Sequence, residues 1–171
     1  MINDNFLDIE SFHKIQTKLL SEEIHWHYHN YTDNVYQDNN QFYFSHHFYE
    51  LNRWTSPVAE ILEPLLLKIK PVSIHSIRAN LMARTSEIVE SNFHSDMKKF
   101  IPDEDRLSQW TTAIFYINNN NGYTKLSDET VVESKSNRLL TMSSDVEHLG
   151  TTCTDQQIRI VINFNYYKST I

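Results

Sequence analysis

The first part of the chain shows apolar residues at helical spacing. Ile9, Phe12 and Leu19 recur every three to four positions, with Ile15 or Gln16 between them. Asp8 stands directly before this run and is a predicted N-cap. The pattern therefore predicts an amphipathic helix close to the N-terminus.

A second helix is predicted to begin near Ser56. Ser56 would be its N-cap and Pro57 its first helical residue, because proline is favoured at that position. Its apolar stripe consists of Val58, Ile61, Leu62, Leu65, Leu66 and Ile69. Pro64 is predicted to kink this helix. The aromatic and polar stretch 25–49 matches neither a helical nor a strand pattern.

From Pro71 onward the pattern becomes that of strands. The segments 72–83, 93–96, 110–118, 130–133, 138–142 and 157–167 are rich in β-branched and aromatic residues. The tract 118–121, followed by Gly122, predicts a turn between two of them. Helices first and strands afterwards predict an α+β fold. We expect an antiparallel barrel or jelly roll with the N-terminal helices packed on one sheet.

Length and composition narrow the class of protein. The 171 residues predict a single domain, with a helical part over 1–70 and a β core over 71–168. A net charge of −7 without a Lys/Arg cluster argues against nucleic acid as a partner. The two glycines are too few for a P-loop or a dinucleotide-binding loop. The oligomeric state is not determined by the sequence.

The same features predict a cytoplasmic protein. No apolar run reaches the length of a membrane span, so we expect no membrane partner. The N-terminus lacks the basic region of a signal peptide. Cys153 is the one cysteine, so no internal disulfide can form, which is typical of a reducing compartment.

The segment His94-Ser95-Asp96 is the first candidate for chemistry. In an extended segment His94 and Asp96 point to the same face and can converge on a metal ion. His148 is the leading candidate for a third ligand. Two histidines and one carboxylate on one face of a metal leave three open positions, which is diagnostic of non-haem Fe(II) oxygenases. The alternative interpretation is a surface His and Asp on a loop.

Arg159 is the second candidate. If 157–167 is a strand, Arg159, Val161 and Asn163 share one face, and Ile160 and Ile162 face the other side together with Ile158 and Phe164. A guanidinium in so apolar a strand needs an anionic partner, and a carboxylate suits it by bidentate hydrogen bonding. The alternatives are an internal ion pair or an edge strand in water.

At this point the sequence resembles the 2-oxoglutarate- and Fe(II)-dependent oxygenases, in their prolyl 4-hydroxylase-like branch, over about residues 74–167. Four ordered motifs carry the resemblance: His94-Ser95-Asp96; Ala113-Ile114-Phe115-Tyr116-Ile117-Asn118 followed by Asn121-Gly122-Tyr123-Thr124; Asn137-Arg138-Leu139-Leu140-Thr141-Met142; and His148 followed by Arg159. Asn137 replaces the family's glycine, and asparagine tolerates positive φ.

The resemblance implies a double-stranded β-helix, which is a jelly roll. It implies a dioxygenase with Fe(II), 2-oxoglutarate and O2 as requirements, and it allows ascorbate as an auxiliary reductant. The implied iron ligands are His94, Asp96 and His148. Arg159 would bind the distal carboxylate of 2-oxoglutarate, Tyr116 would donate its hydroxyl to the same group, and Thr124 would line that pocket.

The substrate stays open at this stage. It would be a prolyl residue in a peptide or protein, or a small molecule such as a free amino acid. Arg78 and Asn80, on the strand before the iron motif, are candidates for substrate contact. The alternative for both is a partly exposed strand.

Two rival interpretations remain. The first is a non-catalytic jelly-roll module that binds a ligand or metal, and the second is a zinc or manganese enzyme on the same scaffold. A second metal site at His25, His27 and His29 is disfavoured, because alternating histidines seldom form a complete site alone. We expect these three to be surface or substrate-facing groups.

Overall fold

The computed structural model describes residues 1–30 and 42–168, which form mainly β-strands. The first part contains β1 (Ile2–Asn3), α1 (Ile9–Leu19), β2 (His27–His29), β3 (Tyr43–Glu50), β4 (Arg53–Trp54), a 3₁₀-helix (Ala59–Leu62) and α2 (Glu63–Ile69). The remainder contains β5 (Ser73–Ala83), α3 (Glu104–Leu107), β6 (Trp110–Tyr116), β7 (Tyr123–Leu126), β8 (Val131–Glu133), β9 (Arg138–Ser143), β10 (His148–Gly150) and β11 (Ile158–Tyr167). Part of the unassigned stretch 25–49, residues 31–41, lies outside the described residues, as do 169–171.

Two antiparallel sheets make up the core. The major sheet has the order β1-β9-β6-β11-β5-β3-β2, with β4 paired to β3, and the minor sheet has the order β10-β7-β8. β11 lies at the centre of the major sheet, between β5 and β6. A strand paired on both sides has its backbone groups satisfied, so its side chains can point into the space between the sheets. The arrangement agrees with the predicted jelly roll.

The first helix forms as predicted. The side chain of Asp8 accepts a hydrogen bond from the backbone N–H of Ser11 and caps α1. Phe12, Ile15 and Leu19 are its buried residues, and they belong to the same apolar cluster as the outer face of the major sheet. Full burial of such side chains contributes about 1.5–3 kcal/mol each.

The second helix differs from the prediction. It begins as a 3₁₀ turn at Ala59, and Ser56 is not its N-cap, although its hydroxyl accepts a hydrogen bond from the N–H of Val58 at 3.2 Å. Pro64 does not kink a long helix; it stands in the first turn of a separate helix, α2. A proline has no N–H to offer, and the first turn is the place where none is needed.

The strand predictions are confirmed for most of the β core. The predicted segments 72–83, 110–118, 130–133, 138–142 and 157–167 correspond to β5, β6, β8, β9 and β11. The segment 93–96 is not a strand: only His94 makes a bridge, to His148, and a turn begins at Asp96. The first seventy residues contain more strand than predicted, because β3 pairs with β5 within the major sheet.

Two apolar clusters flank the major sheet. The larger cluster joins it to α1 and α2, and includes Ile160, Ile162 and Phe164 of β11. The smaller cluster lies on the other face and includes Ile114, Tyr116 and Val161 with Val132 of the minor sheet. The predicted alternation of β11 is therefore confirmed, and Arg159 is on the face that looks toward the minor sheet.

Candidate metal centre

Backbone pairing brings the two candidate histidines together. The N–H of His94 donates to the carbonyl of His148 at 3.0 Å, and the N–H of His148 donates to the carbonyl of His94 at 2.9 Å. Such a doubly bonded antiparallel pair places both side chains on one face, and the two imidazole ring centroids lie 4.8 Å apart. The pairing compensates for the absence of a regular strand at 93–96.

Asp96 completes the group. Its Oδ1 lies 3.5 Å from Nε2 of His94, and the ligand atoms of His94, Asp96 and His148 all lie within 4.8 Å of one another. Ser95 holds the segment in place, because its hydroxyl donates to the carbonyl of Ser144 at 2.6 Å. Within residues 1–30 and 42–168 this is the one cluster of three or more such side chains that could hold a metal ion.

Asp96 is supported from β11. Its carboxylate Oδ2 accepts hydrogen bonds from the side-chain amides of Asn163 at 3.3 Å and Asn165 at 3.2 Å. Oδ1 is left on the side of His94. Asn165 is fixed in turn by the hydroxyl of Thr112, which donates to its Oδ1 at 2.8 Å. Outer partners of this kind orient a carboxylate ligand and hold it ready for a metal. Sequence reasoning placed Asn163 on the correct face but did not identify either asparagine as part of the site.

The charge states of Asp96 and His148 suit a metal. Burial raises the pKa of the Asp96 carboxyl, but its interactions with His94 and His148 outweigh this effect and hold that pKa well below its usual range. Burial lowers the pKa of His148, against the opposing effect of Asp96. One carboxylate and a neutral imidazole are the forms that bind metal ions.

The orientation of the imidazoles also fits. Nδ1 of His94 donates to the carbonyl of Asn92 at 2.9 Å, so Nε2 is the nitrogen left for a metal ion, and it faces Asp96. His148 is 3% exposed, and its Nδ1 has no hydrogen-bond partner among the described residues. The residues present therefore fit a divalent metal ion with three protein ligands and further positions open.

A cavity of about 220 Å³ extends from these histidines between the sheets. His94 and His148 line one part of it, and Arg159 lines another. Arg159 and Asn163 are four residues apart on the same face of β11, which corresponds to roughly 13 Å along a strand. The cavity thus runs from the candidate metal centre to a buried guanidinium.

Arg159 is 1% exposed and has no acidic partner within 4.0 Å in the described part of the chain. Its Nε donates to the hydroxyl of Ser134 at 2.8 Å, and its Nη2 donates to the carbonyl of Tyr123 and the hydroxyl of Thr124, both at 3.2 Å. All three partners are neutral. A buried charge without a counter-ion is costly, so this site has the electrostatics of an anion-binding pocket.

Thr124 and Tyr116 lie next to the guanidinium. The hydroxyl of Tyr116 donates to Oγ1 of Thr124 at 2.8 Å, and the guanidinium carbon of Arg159 is 5.9 Å from the ring centroid of Tyr116. Thr124 lines the cavity, whereas Tyr116 is not among the lining residues and is fully buried beneath it. The Tyr116 hydroxyl is turned to Thr124 in this structure, and its contact with a bound carboxylate stays a prediction.

Gly122 allows Arg159 its position. A Cβ atom at Gly122 would lie 2.6 Å from the carbonyl oxygen of Thr152 and 2.7 Å from Cδ of Arg159. A side chain here would displace the stem of the arginine. Gly150 is less restricted, because a Cβ atom there would meet Nη1 of Arg159 at 3.7 Å, an ordinary contact.

Arg78 and Asn80 lie beside the metal centre. Both line the cavity, and Arg78 also lines a wider open cleft of about 860 Å³ that contains His94 and Asp96. Both residues are on β5, with Arg78 opposite Asn163 of β11 and Asn80 opposite Val161.

The three alternating histidines form no metal cluster among the described residues; His25 and His27 are exposed, and Nε2 of His29 lies 2.7 Å from the hydroxyl of Ser45.

Comparison with solved structures shows the fold. A prolyl hydroxylase from Trichoplax adhaerens, in complex with a peptide fragment of hypoxia inducible factor, aligns with a TM-score of 0.67 and 15% identity over 98% of this chain and 82% of that chain. An oxidoreductase of the 2OG-Fe(II) oxygenase family from Burkholderia pseudomallei aligns with a TM-score of 0.66 and 11% identity over 98% and 84%. The chain therefore shares the jelly-roll fold of these two structures.

A third solved structure with this fold contains ligands. HygX from Streptomyces hygroscopicus, with nickel, 2-oxoglutarate and hygromycin B bound, aligns with a TM-score of 0.59 and 8% identity over 100% of this chain and 83% of that chain. By sequence, no known family and no curated protein matches the chain. Within the described residues, no helix has the length and apolar character needed to cross a membrane.

Proposed function

We propose that this chain is a non-haem Fe(II)- and 2-oxoglutarate-dependent dioxygenase that hydroxylates a C–H bond of its substrate. One observation carries the proposal. The ligand atoms of His94, Asp96 and His148 converge within 4.8 Å at a cavity that also contains the buried guanidinium of Arg159, which has no acidic partner in the described part of the chain. A metal at one end and a cation at the other suit a short dicarboxylate between them.

His94, Asp96 and His148 would hold the metal ion. Three ligands on one face leave three positions for cosubstrate and O2, whereas a closed structural zinc site would leave none. When bound, Fe(II) and 2-oxoglutarate would supply the oxidising chemistry, with O2 as the oxidant and succinate and CO2 as the products of the cosubstrate. Asn163 and Asn165 orient Asp96 for this task through their hydrogen bonds to Oδ2.

Arg159 would bind the distal carboxylate of 2-oxoglutarate. Its Nη1 is the part of the guanidinium for which no protein partner occurs among the described residues, since Nε and Nη2 already donate to Ser134, Tyr123 and Thr124. Thr124 would donate to the same carboxylate. Its Oγ1 accepts from both Tyr116 and Arg159, so its own proton is available to an acceptor in the cavity. Tyr116 would act by positioning Thr124.

The substrate would enter from the wide cleft and contact Arg78 and Asn80. The substrate is a peptide or protein carrying a prolyl residue, or a small molecule. Both kinds occur among the structural neighbours, since the Trichoplax enzyme is in complex with a peptide and HygX holds hygromycin B. Ascorbate is an auxiliary reductant to include in assays.

We further propose that residues 1–171 form a single domain that works in the cytoplasm. One apolar cluster joins α1 and α2 to the strands of the major sheet, which supports a single unit. Cys153 is a free, buried thiol, which suits a reducing compartment.

The test is succinate formation from 2-oxoglutarate by protein purified without oxygen. Wild type with added Fe(II) and O2 should form succinate, His148→Ala should lose at least about 99% of this activity, and His13→Ala, an exposed histidine of α1, should retain it. Metal analysis of the same preparation separates iron from zinc or manganese. Metal binding without any succinate, across peptide and small-molecule panels, would favour the non-catalytic module.

A further inference from the structure

Two buried oxygen atoms beside the candidate metal centre accept no hydrogen bond. They are Oδ1 of Asn80 and Oδ1 of Asn163, and neither has a partner within the described residues. Asn163 is 7% exposed, and both side chains line the cavity. The amide nitrogen of Asn163 donates to Asp96, which fixes the orientation of the Asn163 side chain and leaves its oxygen without a donor. Buried acceptors without donors are rare in proteins and call for a partner.

Arg78, next to these two asparagines, is a donor without an acceptor among the described residues. It lies opposite Asn163 across the β5–β11 pair and two residues from Asn80 on the same face of β5. No hydrogen bond or ion pair involves its guanidinium within residues 1–30 and 42–168, although its charge lowers the pKa of Asp96. Asp96 already accepts from two asparagine amides. Donors and acceptors without partners therefore stand side by side.

Arg78 is the cationic side chain in this part of the cavity wall, because the neighbouring histidines are neutral. His47 lies opposite Arg78 on β3, and His29 is on β2 beyond it. Burial, together with the charge of Arg78, lowers the pKa of His29 and of His47, against an opposing effect of Glu50 on His47. Both imidazoles are thereby kept in their neutral form, so an anion entering here meets the guanidinium.

2-Oxoglutarate cannot satisfy the two asparagine oxygens. Its two carboxylates and its keto group contain only acceptors at neutral pH. The missing partner must bring hydrogen-bond donors for Asn80 and Asn163 and an anionic group for Arg78, close together. An α-amino acid has this combination, with an ammonium group one carbon away from a carboxylate.

We propose that the substrate is a free α-amino acid, whose carboxylate binds Arg78 and whose ammonium group donates to the side-chain oxygens of Asn80 and Asn163. This inference rests on the proposed oxygenase function and selects one of its substrate classes. A prolyl residue inside a peptide has neither a free carboxylate nor an N–H, so it offers Arg78 only neutral carbonyl oxygens and offers the two asparagine oxygens no donor.

The experiment uses the full chain loaded with Ni(II) and 2-oxoglutarate, which bind without turnover. Each common L-amino acid is titrated separately and its affinity is measured by calorimetry. At least one should bind, and its N-acetyl derivative and its primary amide should each bind at least about tenfold more weakly. A peptide with both ends blocked should not bind.

Two variants locate the binding. Arg78→Gln and Asn80→Leu should each weaken the amino acid at least about tenfold, while the affinity for 2-oxoglutarate stays within about twofold, which also shows that the variants are folded. Arg106→Gln, at an exposed arginine of α3, is the matched control and should change neither affinity.

Three results would overturn the inference: amino acids bind no better than their blocked derivatives, Arg78→Gln leaves their affinity unchanged, or Arg78→Gln weakens 2-oxoglutarate instead. Failure of the proposed function is a separate result, in which wild type binds no 2-oxoglutarate in the presence of Ni(II). Amino-acid binding that depends on Arg78 would in that case still support the site.

Discussion

Nδ2 of Asn163 donates to Oδ2 of Asp96 at 3.3 Å, so the strand that holds Arg159 also orients the carboxylate of the candidate metal centre. Arg159, Val161, Asn163 and Asn165 alternate along one face of β11. A single strand at the centre of the major sheet therefore sets the distance between the two ends of the cavity. Its pairing with both β5 and β6 makes that distance rigid.

Removal of the Asn163 amide should weaken the metal site. Without its hydrogen bond Asp96 is less well oriented, and loss of such a partner typically costs about 10- to 100-fold in metal affinity. We expect Asn163→Ala to bind Mn(II) at least about tenfold more weakly than wild type in calorimetry. Asn30→Ala, at an exposed asparagine, is the control. Equal affinities in wild type and Asn163→Ala would show that the contact has no role in metal binding.

Substitution of Arg159 should affect binding of 2-oxoglutarate without affecting binding of the metal. Arg159→Gln removes the charge that would bind the distal carboxylate, and truncation of one partner of a buried charge pair costs about 2–5 kcal/mol. The KM for 2-oxoglutarate should rise by at least about thirtyfold, whereas the affinity for Mn(II) should stay unchanged. A normal KM in the variant would remove Arg159 from the cosubstrate site.

The two glycines near Arg159 should respond differently to alanine. Gly122→Ala forces a Cβ atom to within 2.6 Å of the carbonyl oxygen of Thr152, so we expect a loss of about 1–3 kcal/mol in the free energy of unfolding. Gly150→Ala meets its nearest atom at 3.7 Å and should change stability by less than about 0.5 kcal/mol. Urea denaturation of both variants measures the difference. The prediction is wrong if Gly150→Ala is the more damaging change.

The metal-free chain should lose stability as the pH falls from 7 to 5. Burial lowers the pKa of His148 in the folded state, so the unfolded chain, with an ordinary histidine pKa of about 6.5, takes up its proton first. This stabilisation is present above the pKa of the unfolded chain and is lost as the pH falls toward the pKa of the folded chain. His29, His46, His47 and His75 act in the same direction.

The contribution of His148 to this pH dependence can be isolated. One proton corresponds to a slope of at most about 1.4 kcal/mol per pH unit. His148→Asn removes one such proton, so its unfolding free energy should fall less steeply between pH 7 and 5 than that of wild type. Denaturation curves at several pH values, without metal, make the comparison. A steeper fall in the variant would contradict the assigned direction of the pKa shift.

Much of the site could be predicted from the sequence because its residues lie in short ordered motifs. Asn137 adopts a positive φ of 61°, which asparagine tolerates. His94 and Asp96 were predicted to converge through a strand, whereas the structure achieves it through a single bridge to His148 followed by a turn. The sequence therefore predicted which side chains converge, but not the backbone conformation that brings them together.

The remaining features depend on contacts between distant strands. Asn165 contacts Asp96 across 69 positions, and no periodicity within β11 indicates that contact. β3 escaped prediction because its histidines and serine obscure the alternation expected of a strand, although Ser45, His46 and Phe48 are buried. The minor-sheet strands β7 and β10 have four and three residues, too short for a pattern to be recognised.

The most direct test of the account is the metal dependence of 2-oxoglutarate binding. One molecule should span the metal held by His94, Asp96 and His148 and the guanidinium of Arg159. Calorimetric titration of the wild-type chain should therefore give one bound 2-oxoglutarate with Mn(II) or Ni(II) present, and an affinity at least about 100-fold lower after the metal is removed. Equal affinity with and without metal would contradict the account.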